Sequence, residues 1–193
     1  MSKALDYIKT LTIPTGELFE DLLAGVISDG LGGLSESQRK TVQNHVGKLM
    51  EIMTAEALGF THLDIEGADI VSHDRKVIAE IKNRYNTLNH GGRQRIIRVM
   101  KDLTLSDEFR GYDKYLVIVH PRTPGYQRNI GQAITEITAA KFFKRFDGDF
   151  RASYMALLEE VSAWFGVTVP EITEYYDKVV FAERKSRRKK KSS

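Results

Sequence analysis

Three charged side chains stand in runs that otherwise read as aliphatic strands. Asp69 lies in Ala68-Asp69-Ile70-Val71, and Glu80 and Lys82 lie in Val77-Ile78-Ala79-Glu80-Ile81-Lys82. Charged groups are rarely buried among aliphatic neighbours unless they are paired or bind a metal. Side chains alternate along a strand, so Glu80 and Lys82 share one face while Ala79 and Ile81 take the other. A two-residue turn at Asp74-Arg75 makes a hairpin whose paired positions sum to 149. That register sets Asp69 opposite Glu80, with Cβ atoms about 5 Å apart. Carboxylates at such a spacing repel, and a divalent cation relieves the repulsion by taking oxygens from both. Mg2+ suits the pair because it binds through one or two carboxylates and keeps water and phosphate oxygens as its other ligands. The Lys82 ammonium beside them can hold an attacking water or balance charge on a phosphate. The chemistry these residues support is metal-dependent hydrolysis of a phosphodiester.

Several elements must position this set. A helix is expected over 36–58, with Val42, Val46, Leu49, Met50, Met53 and Leu58 apolar and Gly59 as its stop. On that helix Gly47 sits one turn before Glu51, so the glycine is expected to permit close approach to the sheet and carry Glu51 toward the carboxylates. Glu56 competes for that role. Upstream, residues 15–29 read as a helix capped by Thr15 and ended by the stretch Gly30-Leu31-Gly32-Gly33. Two strands are expected at 68–72 and 76–82, then a helix at 93–105 and a central strand at 114–120. Residues 131–138 fit neither period. Helices follow at 139–146, 149–165 and 170–182, with Tyr154, Leu157, Leu158, Val161 and Trp164 expected inside. Mixed strands and flanking helices make this an α/β fold.

Composition bounds the rest. A chain of 193 residues with 41% hydrophobic and 28% charged residues fits one folded domain, expected to span 1–182. No apolar run is long enough to span a bilayer, the N-terminus lacks a signal-peptide stretch, and cysteine is absent, so a cytoplasmic location without membrane contact is expected. The net charge of +3 is unevenly spread: residues 183–193 hold seven Lys/Arg and one Glu, leaving 22 basic against 25 acidic residues elsewhere. That tail reads as a disordered basic arm, able to add sequence-independent attraction to phosphates or simply solubility.

With Asp69, Glu80-Ile81-Lys82 and the helix glutamate Glu51, the chain resembles the PD-(D/E)xK nuclease superfamily. Ala68 stands where that superfamily usually has proline before the aspartate. The run Glu80-Ile-Lys-Asn-Arg-Tyr-Asn-Thr87 is similar to type II restriction endonucleases, as is Glu136-Ile-Thr-Ala-Ala-Lys-Phe-Phe-Lys-Arg-Phe-Asp-Gly148, read as a last sheet strand leading into an aromatic helix. The likeness covers about residues 36–165 and points toward enzymes cutting GGNCC-type sites. It implies a restriction-endonuclease-like mixed central β-sheet flanked by helices. It also implies a Mg2+-dependent cut of double-stranded DNA, with Mn2+ as an acceptable substitute, leaving a 5′-phosphate and a 3′-hydroxyl. By the same likeness Asp69 and Glu80 bind the metal, Lys82 orients or activates water, and Glu51 supports metal or water. A homodimer and a cognate DNA methyltransferase are the implied partners. A Holliday junction resolvase, a repair or phage nuclease, and a catalytically silent DNA-binding domain stay open as alternatives.

Sequence-specific cutting needs side chains that reach base edges, chiefly Arg for guanine and Asn or Gln for adenine. Two segments carry such groups. Asn83, Arg84, Asn86, Thr87, Asn89 and Arg93 follow the catalytic strand, and Arg122, Gln127 and Arg128 follow the strand that ends at His120. None of the five histidines forms a recognisable metal pair; His45 falls on a helix, His62 and His73 in turns, and only His120 invites a test.

Overall fold

The computed structural model describes residues 2–11, 36–85, 89–165, 174 and 176–183. The helix expected over 15–29, residues 170–173 and 175 of the helix expected over 170–182, and the basic tail from residue 184 onward lie outside the described residues. So do Asn86 and Thr87.

The chain runs α1 (Lys3–Ile8), α2 (Glu36–Leu58), β1 (Thr61–Ile65), β2 (Ala68–Ser72), β3 (Val77–Arg84), α3 (His90–Leu103), β4 (Asp113–His120), β5 (Gln127–Asn129), β6 (Ile134–Thr138), α4 (Ala139–Arg145) and α5 (Phe150–Phe165), with a π-helical turn at Tyr176–Val180. Six strands form one mixed sheet in the order β1-β2-β3-β4-β6-β5. The β1–β2, β2–β3 and β5–β6 pairs are antiparallel, and β3–β4 and β4–β6 are parallel. This is the mixed α/β sheet expected, flanked by helices on both faces. Parallel strands must be covered on both sides, which is why Tyr115 to His120 of β4 are all buried. On one face, Ile70, Ala79, Ile81, Val117 and Val119 pack with Leu49 and Met50 of α2 and with Phe142, Phe143 and Tyr154 of α4 and α5. On the other, Val71, Ile78, Leu116 and Ile118 pack with Ile96, Ile97 and Met100 of α3.

The β2–β3 hairpin keeps the expected register, with pairs Ile70–Ala79, Val71–Ile78 and Ser72–Val77. Its turn, however, is four residues, His73 to Lys76, rather than two. Lys76 takes a left-handed conformation (φ 51°), which ends pairing so that β3 starts at Val77 and not at residue 76. Residues 134–138 resolve as strand β6, because pairing with β4 and β5 supplies the order their sequence period does not. His62 lies in β1 rather than in a turn. Helix α3 begins at His90, earlier than expected, because the Asn89 side chain accepts a hydrogen bond from Gly92 N–H at 2.7 Å and caps it.

Two further expectations are corrected. Trp164 is not core: it is 51% exposed, and the Lys9 ammonium sits 4.9 Å from its ring centroid. Gly47 does not mediate a close approach, since a Cβ there would meet nothing within 4 Å. Gly67 is the glycine that does. Its φ is +87°, and a Cβ would lie 2.5 Å from Val99 Cγ1 of α3, so the β1–β2 turn can touch that helix only without a side chain. No helix of the described residues is long and apolar enough to cross a membrane.

Candidate active site

The hairpin register, continued one step beyond Ile70–Ala79, sets Asp69 against Glu80. Asp69 Oδ2 accepts the Ile81 N–H at 2.6 Å, which ties the first carboxylate to the strand that carries the second. Glu80 is buried, only 7% exposed. Its Oε1 lies 2.5 Å from Lys82 Nζ, while its Oε2 is buried with no hydrogen-bond partner among the described residues. Glu80 and Lys82 project from the α3 face of the sheet. There they line a cleft of about 330 Å3 together with Glu66 and Gly67 of the β1–β2 turn and Gly92 and Arg95 of α3. Such a volume holds on the order of ten waters, or a phosphate with part of its hydration. Arg95 Nε closes one rim on Glu66 Oε1 at 2.6 Å.

Burial raises the Asp69 pKa from 3.8 to about 8, reinforced by the negative charges of Glu80 and Glu51, against the opposing pull of the Ile81 N–H and Lys82. Without a cation Asp69 therefore keeps its proton at neutral pH. Burial alone would lower the Lys82 pKa, but Glu80, Asp69 and Glu51 outweigh it and hold the ammonium above its ordinary value. Lys82 is thus a donor and a positive charge, not a base.

Glu51 does not line the cleft; its charge nevertheless acts on both Asp69 and Lys82. Its Oε2 is held by Lys48 Nζ at 3.3 Å and by His62 Nε2 at 3.2 Å. The competing Glu56 faces elsewhere and accepts the Lys3 backbone N–H at 2.7 Å.

The donor set suits Mg2+. Two carboxylates converge in a desolvated place, and one bare carboxylate oxygen there lacks any proton donor. Among the described residues no group of three or more His, Cys, Asp or Glu converges to hold a metal, so the protein would supply two carboxylates there and no third. A cation at Asp69 and Glu80 would draw its remaining oxygens from water and substrate.

The groups expected to meet DNA separate into several kinds. The Asn83 carbonyl and side-chain oxygen both lie near His120 Nδ1, at 3.0 and 2.9 Å. A carbonyl only accepts, so Nδ1 carries the proton, and Nε2 accepts from the Tyr154 hydroxyl at 3.3 Å. Burial lowers the His120 pKa to about 4, with Arg84 adding to the effect, so the ring is neutral. Asn83 and His120 together join the ends of β3 and β4, and Asn89 is occupied as the α3 cap. Arg84 pairs in register with His120 on the neighbouring strand. Arg122 and Gln127 are exposed, and with Arg128 they line a second pocket. Arg93 and Arg128 both reach Glu136, a residue the sequence reading did not single out. Nor did that reading single out Glu66 or Arg95, and it took His62 for a turn residue. The signal at Glu136 was a charge between Ile134 and Ile137, in a stretch whose period gave no face to place it on.

Comparison with known proteins adds an independent line. The sequence model of the Eco47II restriction endonuclease family matches residues 34–150, which include Glu51, Asp69, Glu80 and Lys82. The type II restriction enzyme Eco47II of Escherichia coli is 32% identical over 94 residues, covering 47% of this chain and 39% of that enzyme. Less than half of the relative's length is therefore represented in the alignment. No solved structure matches the chain.

Proposed function

The chain belongs to the Eco47II restriction endonuclease family, and from that premise we propose that it is a Mg2+-dependent, sequence-specific endonuclease acting on double-stranded DNA. The observation that carries this reading is the buried Glu80, set beside Asp69, with one oxygen unpartnered and the other on Lys82. A protein that only bound DNA would have no use for two carboxylates repelling each other in a desolvated place.

Asp69 and Glu80 would hold the Mg2+, which when bound supplies Lewis-acid polarisation of a phosphate oxygen and of water. Lys82, oriented by Glu80, donates to the attacking water or to a non-bridging phosphate oxygen. The Ile81 N–H keeps the Asp69 carboxyl turned toward β3, so the two acids stay at a fixed separation. Glu51, pinned by Lys48 and His62, adds negative potential that favours a bound cation. Arg95 and Glu66 at the rim leave the cleft open to a strand of the duplex. In-line attack on this arrangement gives a 5′-phosphate and a 3′-hydroxyl. A twofold homodimer cutting one strand per subunit is the matching assembly, a GGNCC-type site is the first sequence to try, and a cognate methyltransferase would protect the host's own copies.

The test is incubation with long unmodified duplex and Mg2+, beside Glu80→Ala and Lys82→Ala. Discrete fragments from the unaltered protein, absent with both variants, support the reading, and sequenced ends give the site. A smear, or cleavage of branched DNA alone, transfers the site to a nonspecific or structure-specific nuclease. Mg2+ or Ca2+ should also raise the melting temperature of the unaltered protein and not that of Asp69→Ala; equal shifts would sink the metal assignment.

A further inference from the structure

Glu136 is wholly buried, with no exposed surface. It stands on β6 directly across from Arg128 on β5. Its Oε1 accepts from both Nε and Nη2 of Arg128, at 3.0 and 2.7 Å. Its Oε2 lies 3.0 Å from Nη2 of Arg93 in the first turn of α3, in an ion pair without hydrogen-bond alignment. Tyr85 and Tyr126 complete the surroundings, with their rings 5.6 Å from the Arg93 guanidinium and 5.8 Å from that of Arg128. One buried carboxylate thus joins the two segments that leave the sheet beside the catalytic strand.

From this geometry we infer that Glu136 is a positioning residue that presents Arg128 to the major-groove edge of a guanine. The inference rests on the DNA substrate proposed above. A guanidinium has five N–H bonds, and Glu136 engages Nε–H and one bond of Nη2. The Tyr85 side chain also hydrogen-bonds Arg128, and the N–H bonds beyond Glu136 and Tyr85 are left for another planar partner. Arg128 is half exposed at 48%, and it lines a pocket of about 160 Å3 with Tyr85, Arg122, Tyr126 and Gln127. A space of roughly 150 Å3 accepts one aromatic ring, so the pocket has the dimensions of a base edge.

Guanine fits better than phosphate for a physical reason. Arg93 and Arg128 share one carboxylate, so the cluster keeps a net positive charge, and charge alone does not separate guanine from phosphate for Arg128. Its direction, by contrast, is fixed, and a fixed pair of N–H bonds is what the O6 and N7 acceptors of guanine reward. Holding the fork in place beforehand also spares the entropy of ordering a long side chain on binding. Arg93 links this reading group to the chemistry: its neighbour Gly92 lines the catalytic cleft, so both sites hang on the same turn of α3.

The experiment compares fragments amplified with ordinary dG or with 7-deaza-dG, which replaces the N7 acceptor by C–H. The fragments are ones that the unaltered protein cuts discretely, and binding is measured with Ca2+ in place of Mg2+. The unaltered protein should bind dG fragments about tenfold or more tightly than 7-deaza fragments, consistent with the discrimination of one bidentate contact. Arg128→Met and Glu136→Gln should each remove most of that ratio. Equal weakening of both DNAs by Arg128→Met, with the dG preference intact, overturns the inference in favour of a phosphate contact. A folded Glu136→Gln that keeps the preference overturns the positioning role. If Glu136→Gln does not fold, Glu136→Asp, which keeps the charge but draws the carboxylate back by one methylene, is measured instead and should lose most of the ratio, and its keeping the ratio overturns the positioning role. Absence of discrete fragments from the unaltered protein would instead defeat the proposed function, a different and separately visible failure.

Discussion

Replacing Asp69 by asparagine should make the metal-free protein more stable while abolishing its cutting. The Asp69 pKa is about 8 in the folded chain and 3.8 as its reference value. The sign is opposite to the usual carboxylate case: the folded state binds a proton that the unfolded chain has released. Folding therefore bears a penalty that is absent below pH 3.8, grows by about 1.4 kcal/mol per pH unit, and levels off above pH 8. At pH 7 the penalty comes to about 4 kcal/mol, or roughly 10 °C in melting temperature for a chain of this size. Asparagine has nearly the same shape, can still accept the Ile81 N–H, and has no charge to lose. Urea unfolding in EDTA at several pH values measures the difference between the two proteins, which isolates this one group from every other titration. The advantage of Asp69→Asn should rise steadily from pH 4 to pH 8, and Mg2+ should narrow it by stabilising only the unaltered protein. An advantage no larger at pH 8 than at pH 4 would refute the burial and repulsion on which the site is built.

Other perturbations give equally definite outcomes. His120 is neutral in the fold with a pKa of about 4, so stability should be lost as pH falls from 6.5 toward 4, by up to about 3 kcal/mol, and His120→Gln should flatten that limb in the same urea titration. Gly47→Ala places a methyl in open space on a helix and should stabilise by about 0.5–1 kcal/mol without changing activity, read by thermal melting and a cleavage assay. Gly67→Ala meets both a positive φ and Val99 and should cost more than about 1 kcal/mol, with loss of cleavage as the β1–β2 turn is pushed off α3.

The placement of the acids was readable in the chain because its geometry is local. Asp69, Glu80 and Lys82 sit on two adjacent strands, and the alternation of side chains fixes their common face whatever the turn between them does. A four-residue loop in place of two leaves the pairing sum unchanged. What could not be read was everything that depends on a distant partner. Gly67 looked like a boundary residue, yet its need for glycine comes from Val99 on another element. Gly47 looked like a contact point on spacing alone and faces open space. Strand β5 has three residues, all exposed, and carries no apolar alternation to betray it. Glu136 acquires its meaning only when β6 pairs with β5 and α3 lays Arg93 over both.

Strand β4 lies between the catalytic strand β3 on one side and β6 with β5 on the other, and its buried stretch is Tyr-Leu-Val-Ile-Val-His. It gives no charged side chain to the cleft or to the clasp on Glu136. The molecule is thereby divided between a half that carries the acids and a half that holds the exposed pocket, with β4 between them. What ties the halves together is Glu136: Arg128 on β5 meets it, it meets Arg93, and Arg93 follows Gly92 of the cleft. A change at the β5 edge thus has a route to the acids through the first turn of α3.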